Sequence, residues 1–148
     1  MNTPLNIILG TVLFIISSIA YIGQAITAFW PQTAARLGLA EAETDVDPTF
    51  YADVRGEAIW DTAILWTLPV AGVLLVLNNP TWVYFGLVGG GMYLYFAGRG
   101  IVVRRVMQRR GIRIGKPQNL KVVNIFLALW GVTAVITIVM IIYTIGVS

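Results

Sequence analysis

The run "RGEAIWDTAILW", residues 55–66, sets two carboxylates, Glu57 and Asp61, at the mouth of an apolar stretch. They are four residues apart, so on a helix they share a face. A third charged group, Arg99, stands alone inside the glycine-rich apolar run "GLVGGGMYLYFAGRG". Gln24 and Asn124 are polar intrusions in two further apolar runs. Two acids and one arginine can pass a proton as general acid and base, bind a polar solute, or pair and fix helix register. A charged group in hydrocarbon is costly unless paired or wet, so each use turns these side chains toward the interior of a bundle. The expected arrangement has Arg99 between Glu57 and Asp61, its planar fork binding one carboxylate and reaching the other.

Other chemistry is closed off by composition. The 148 residues include no cysteine and no histidine. Disulfides, thiolate nucleophiles, iron–sulfur clusters and zinc–thiolate sites are excluded, as are histidine-based triads and histidine-ligated haem. No metal site, cofactor motif or catalytic nucleophile accompanies the two acids.

The elements that must position these groups follow from hydropathy. Hydrophobic residues make up 57% of the chain and charged residues 11%, with a mean hydropathy of +0.79; soluble domains carry roughly 25% charged residues. Four segments reach the ~20 apolar residues needed to cross a bilayer: Leu5–Trp30, Tyr51–Leu77, Thr81–Val103 and Val122–Val147. The expected fold is an all-α, four-transmembrane-helix bundle, with residues 1–148 forming a single domain. The first run lacks the leading basic residues of a signal peptide and exceeds its ~7–15-residue core, so it reads as a retained span.

Local chemistry marks the boundaries. In "DVDP", Asp47 is a helix N-cap and Pro48 occupies the first helical position. "NNP" at 78–80 is a tight reversal that makes the second and third spans antiparallel neighbours. Gly111 stops a third helix that projects beyond the membrane. Pro69 should kink the second span and free a carbonyl. "PQTAARLGLA" reads as a short interfacial helix.

All ten basic and seven acidic residues fall in or near the two loops of one side, 31–50 and 104–121. The positive-inside rule makes that side cytoplasmic and sends both termini to the non-cytoplasmic side. The acidic loop 41–53 and the basic loop 104–116 then share a surface and are placed to dock. Counting inward from that surface puts Gln24, Glu57, Asp61, Arg99 and Asn124 at similar depth, one polar residue or more from each span. Tyr21 and Tyr95, one turn deeper, are expected to roof this layer.

Gly86 and Gly90 form a GxxxG pair that permits close helix approach, within the bundle or across a dimer. Arg104, Arg105, Arg109, Arg110 and Arg113 make a basic juxtamembrane stretch suited to anionic headgroups, which accounts for the pI near 9.5 without nucleic acid. Trp30, Trp60, Trp66, Trp82 and Trp130 read first as an interfacial aromatic belt, with a stacking site for an aromatic ligand as the other reading.

The layout of "FWPQTAARLG", "YADVRGEAIWD", the glycine-rich third span and "RRVMQRRGIRIGKP" resembles the DoxX-like small four-helix bacterial membrane proteins, its BphX-like branch most of all. The resemblance implies a bundle in the bacterial cytoplasmic (inner) membrane, often beside a redox or degradative enzyme.

The leading expectation is a non-catalytic accessory or interaction subunit, with a membrane protein or a second copy of the chain as partner and anionic lipid on the basic side. The alternative is binding or translocation of a small hydrophobic or protonatable solute through a polar pocket centred on Glu57, Asp61 and Arg99. An enzyme using either acid ranks last.

Overall fold

The computed structural model describes residues 3–146; Val147, the expected end of the fourth span, lies outside them. The chain is helical throughout its apolar runs: α1 (Thr3–Phe29), α2 (Pro31–Arg36), α3 (Pro48–Ile64), α4 (Thr67–Val76), α5 (Trp82–Arg109) and α6 (Pro117–Gly146). Four helical stretches are long and apolar enough to cross a membrane, with α3 and α4 together making the second.

That second span is two helices because of Pro69. Proline has no N–H to offer the carbonyl four residues back, and its ring crowds that carbonyl. The break falls at Leu65 and Trp66. Nearby carbonyls are met by side chains instead: Thr67 Oγ1 donates to Ile64 O at 3.0 Å, and Trp66 Nε1 donates to Ala63 O at 3.0 Å.

The termini of the helices follow local rules. Asp47 caps α3, its carboxylate accepting from Thr49 N at 2.8 Å, with Pro48 at the first turn. Asn79 Oδ1 accepts from Thr81 N at 3.0 Å and leads into α5. Gly111, at φ +73°, ends the overhanging α5 in the left-handed conformation that glycine adopts without strain.

The spans pack in chain order. α1 lies on α3 and α4, α4 on α5, and α5 on α6, while α1 and α6 scarcely meet. Glycine sets the closest approaches. An added Cβ at Gly10 would sit 2.7 Å from Gly72 O, and one at Gly72 would sit 2.7 Å from Phe14 N. Gly89 lies equally close to Leu68 N, so α4 is gripped by backbone contact on two sides. Gly86 and Gly90 face Ile141 and Ile138 of α6, so this pair serves packing inside the bundle.

The two charged loops meet at one end of the bundle. Asp47 N donates to Arg113 O at 2.7 Å, and Arg113 Nη2 donates to Val46 O at 3.2 Å and Thr44 O at 3.3 Å. Asn119 Nδ2 donates to Glu41 Oε1 at 2.8 Å. Beneath these bonds Val46, Phe50, Ile114 and Leu120 form a small apolar core of their own. The opposite end carries the Asn78–Pro80 reversal, where Asn6 Nδ2 of α1 donates to Asn78 Oδ1.

Candidate functional site

The charged groups of the second and third spans converge near the loop end. α3 begins there, and its helical spacing puts Asp53, Glu57 and Asp61 on one stripe. Arg99 of α5 faces that stripe. Its Nη2 lies 2.6 Å from Asp53 Oδ1, and its Nη1 lies 2.7 Å from Glu57 Oε1. The first contact is a hydrogen-bonded ion pair; the second is an ionic contact off the hydrogen-bond angle.

The expected pairing of Arg99 with Glu57 and Asp61 is therefore corrected. Arg99 engages the two outer acids, and Asp61 forms no ion pair among the described residues. The reason is reach. A long basic side chain turns its head toward the wet end of a helix, which carries the guanidinium away from Asp61 and out to Asp53. Asp61 is left 3% exposed one turn deeper, with Oδ2 lacking a hydrogen-bond partner among the described residues.

The lid above Asp61 also differs from expectation. Tyr95 is 63% exposed and turns outward. Tyr93 takes the inward position, fully buried, and donates its hydroxyl to Ser17 O of α1 at 2.7 Å. Tyr21 and Asp61 are both close enough to interact electrostatically with Tyr93. The alternation of Tyr93 and Tyr95 along one helix separates them by two residues and hence by roughly 200°, so a depth count could not choose between them.

Gln24 and Asn124 do not join the charged cluster. Asn124 lines a shallow outer groove between α5 and α6 with Gln108 and Lys121. Gln24 lines a separate, deeper cleft between α1 and α6, of about 190 Å³. One wall is Ile19, Ala20 and Gly23 of α1; the other is Val122, Val123 and Phe126 of α6. Trp130 closes the inner end, its Nε1 donating to Ile16 O of α1 at 3.1 Å. Ile19, Val122 and Phe126 are all exposed, so the mouth opens sideways from the bundle.

Arg104 lies at the loop end of this cleft, half-buried, where a headgroup-facing surface residue was expected. Its Nη1 folds back to donate to Gly100 O at 2.9 Å, and its guanidinium stands 5.7 Å from the Phe50 ring. Gly100 gives the folded-back group room, since a Cβ there would lie 3.1 Å from Arg104 Nη1. Arg113 is likewise engaged, in the loop clamp described above, whereas Arg105, Arg109 and Arg110 are exposed. Of the tryptophans, Trp30 and Trp60 are exposed and fit a belt, Trp66 is exposed at the mid-span break, Trp82 is buried, and Trp130 is bonded within the bundle.

Fold and site together define a multi-pass helical membrane protein with an ion triad at one end and a laterally open cleft beside it. No family model matches the chain, and no curated protein or solved structure matches it.

Proposed function

We propose that this is a non-catalytic binding protein of the bacterial cytoplasmic membrane, with both termini outside, that takes a small hydrophobic or amphiphilic solute into the cleft between α1 and α6. The cleft carries the reading. A cavity of ~150 Å³ lined by apolar side chains suffices to hold a benzene ring, and this one measures about 190 Å³ with apolar walls and a lateral mouth.

Two features move the balance from an accessory subunit to a binder. Gly86 and Gly90 are occupied by α6, so they offer no face to a partner helix. Arg99 is ion-paired with Asp53 and Glu57, which makes the triad a fastening between α3 and α5. The binding centre thus shifts from Glu57, Asp61 and Arg99 to the neighbouring cleft. The four-span layout resembles that of DoxX-like proteins, and this resemblance supports a role beside a membrane enzyme, as the component that presents the solute.

The test uses Gly23, which lines the cleft and has open space where its Cβ would be. Gly23→Phe fills the cavity without displacing backbone. A neutral fluorescent naphthyl probe is expected to bind the detergent-purified protein and to lose at least tenfold in affinity in Gly23→Phe, roughly the effect of removing a ring-sized apolar site. Equal binding to both proteins overturns the reading.

A further inference from the structure

We infer that the cleft selects an amphiphile with an anionic head, carboxylate or phosphate, seated on Arg104; this rests on the binding role proposed for the cleft. Glu57 and Asp53 act on Arg104 only from a distance, and no carboxylate among the described residues pairs with it directly. Of the other half-buried arginines, Arg55 donates from Nη1 to Thr27 O at 3.0 Å and Arg99 has two carboxylates within 2.7 Å. Arg104 has none within 4 Å among the described residues. One of its nitrogens meets the Gly100 carbonyl and its face lies by Phe50. A guanidinium has five donors, so most of the fork remains for a ligand. Half-buried between apolar walls, a cation is costly unless an anion meets it.

The cleft's own acid is already engaged. Glu41 stands at the rim, but its Oε1 accepts from Asn119 at 2.8 Å, and its carboxylate nests against Gly115, where a Cβ would lie 2.5 Å away. Glu41 keeps its charge at the rim, held there by the loop clamp, and Arg104 is the cation among the described residues that line the cavity. Gln24 and Thr27 add neutral polar atoms on the α1 side. The apolar walls run from this polar end to Trp130. Cation at the loop end, hydrocarbon wall inward and a mouth at the side together match a head–tail molecule lying in one leaflet.

The discriminating probes share one tail. Dodecanoate, dodecyl phosphate and dodecanol are titrated against the purified protein in a neutral detergent, with displacement of the naphthyl probe as the signal. Wild type is expected to bind at least one anionic amphiphile about tenfold or more tightly than dodecanol, the worth of a charge-assisted contact. Arg104→Gln is expected to abolish that preference, read as the ratio of anionic-amphiphile to dodecanol affinity within the variant, and Arg104→Lys to restore part of it. Tighter binding of dodecyl phosphate assigns a phospholipid head, and tighter binding of dodecanoate assigns a fatty acid. Equal binding of all three by wild type overturns the anion proposal and needs no variant to be read. If Gly23→Phe still binds every probe as wild type does, the cleft itself is the wrong site and the functional reading falls first.

Discussion

Arg99 and Asp53 form the tightest charged contact among the described residues, Nη2 to Oδ1 at 2.6 Å, joining α5 to the first turns of α3. Few other contacts link these two helices. The pair with its Glu57 neighbour is therefore the main tie across that interface. Arg99→Gln leaves Glu57, whose side chain is 9% exposed, without its cation. The expected loss is about 3 kcal/mol, the usual cost of stranding one member of a buried pair. Asp53→Asn should cost under about 1 kcal/mol, since that side is screened by water. Thermal unfolding in detergent orders the two variants; a larger loss in Asp53→Asn would contradict this account.

Asp61 gives the opposite expectation. It is buried, and Arg99 turns away from it toward the outer acids. Asp61→Asn keeps its shape and removes a carboxylate that no cation holds. Stability should be unchanged or higher, in contrast to Arg99→Gln. A melting temperature several degrees lower would mean that Asp61 has a partner of its own.

The glycines sort by what surrounds them. Gly72→Leu forces side-chain atoms into the α1 backbone, where Phe14 N is 2.7 Å from the added Cβ. Overpacking of that kind should cost about 3 kcal/mol or more. Gly91→Ala and Gly98→Ala meet open space, and the alanine should leave stability equal or raise it by about 0.5–1 kcal/mol. Yield and monodispersity after purification separate the two groups.

Arg113 fastens the acidic loop through backbone carbonyls of Thr44 and Val46. Arg113→Gln should speed amide hydrogen exchange over residues 41–47 and leave α1 and α4 protected, because local opening follows the loss of local bonds. Exchange that rises equally in all helices would show that the clamp holds the whole bundle. The exposed Lys116–Asp45 pair, at 4.0 Å, should contribute little to the same readout.

Much of this fold was legible because lipid-spanning helices are dictated by long apolar runs. Asp47, the Asn78–Pro80 reversal, Pro69 and Gly111 each carry a local rule, and each stands at a helix end or break. What sequence did not show is rotation about the helix axis. Depth counting treats a helix as a line, so it set Tyr95 where Tyr93 belongs and grouped Asn124 with residues on another face. It also left Asp53 outside the cluster as a loop-end acid, although the 53–57–61 spacing was there to be read. Arg104 escaped for a related reason. In a run of five arginines nothing distinguishes the one beside Gly100 that folds inward, save the four-residue spacing that lets it reach that carbonyl. Gly10 and Gly72 lie in different spans, and only their meeting reveals what either does.

The order in which the spans touch is also an order in which they can be built. The second span lies on the first, the third on the second and the fourth on the third. Each newly inserted span finds its mate already in the bilayer, while the acidic loop waits for Arg113, Ile114 and Leu120 to cover it. The ring-closing contact, first segment to last, is sparse among the described residues and is pinned at its inner end by Trp130 and Ile16. Synthesis from one end to the other therefore leaves a ready-made vacancy at the final seam.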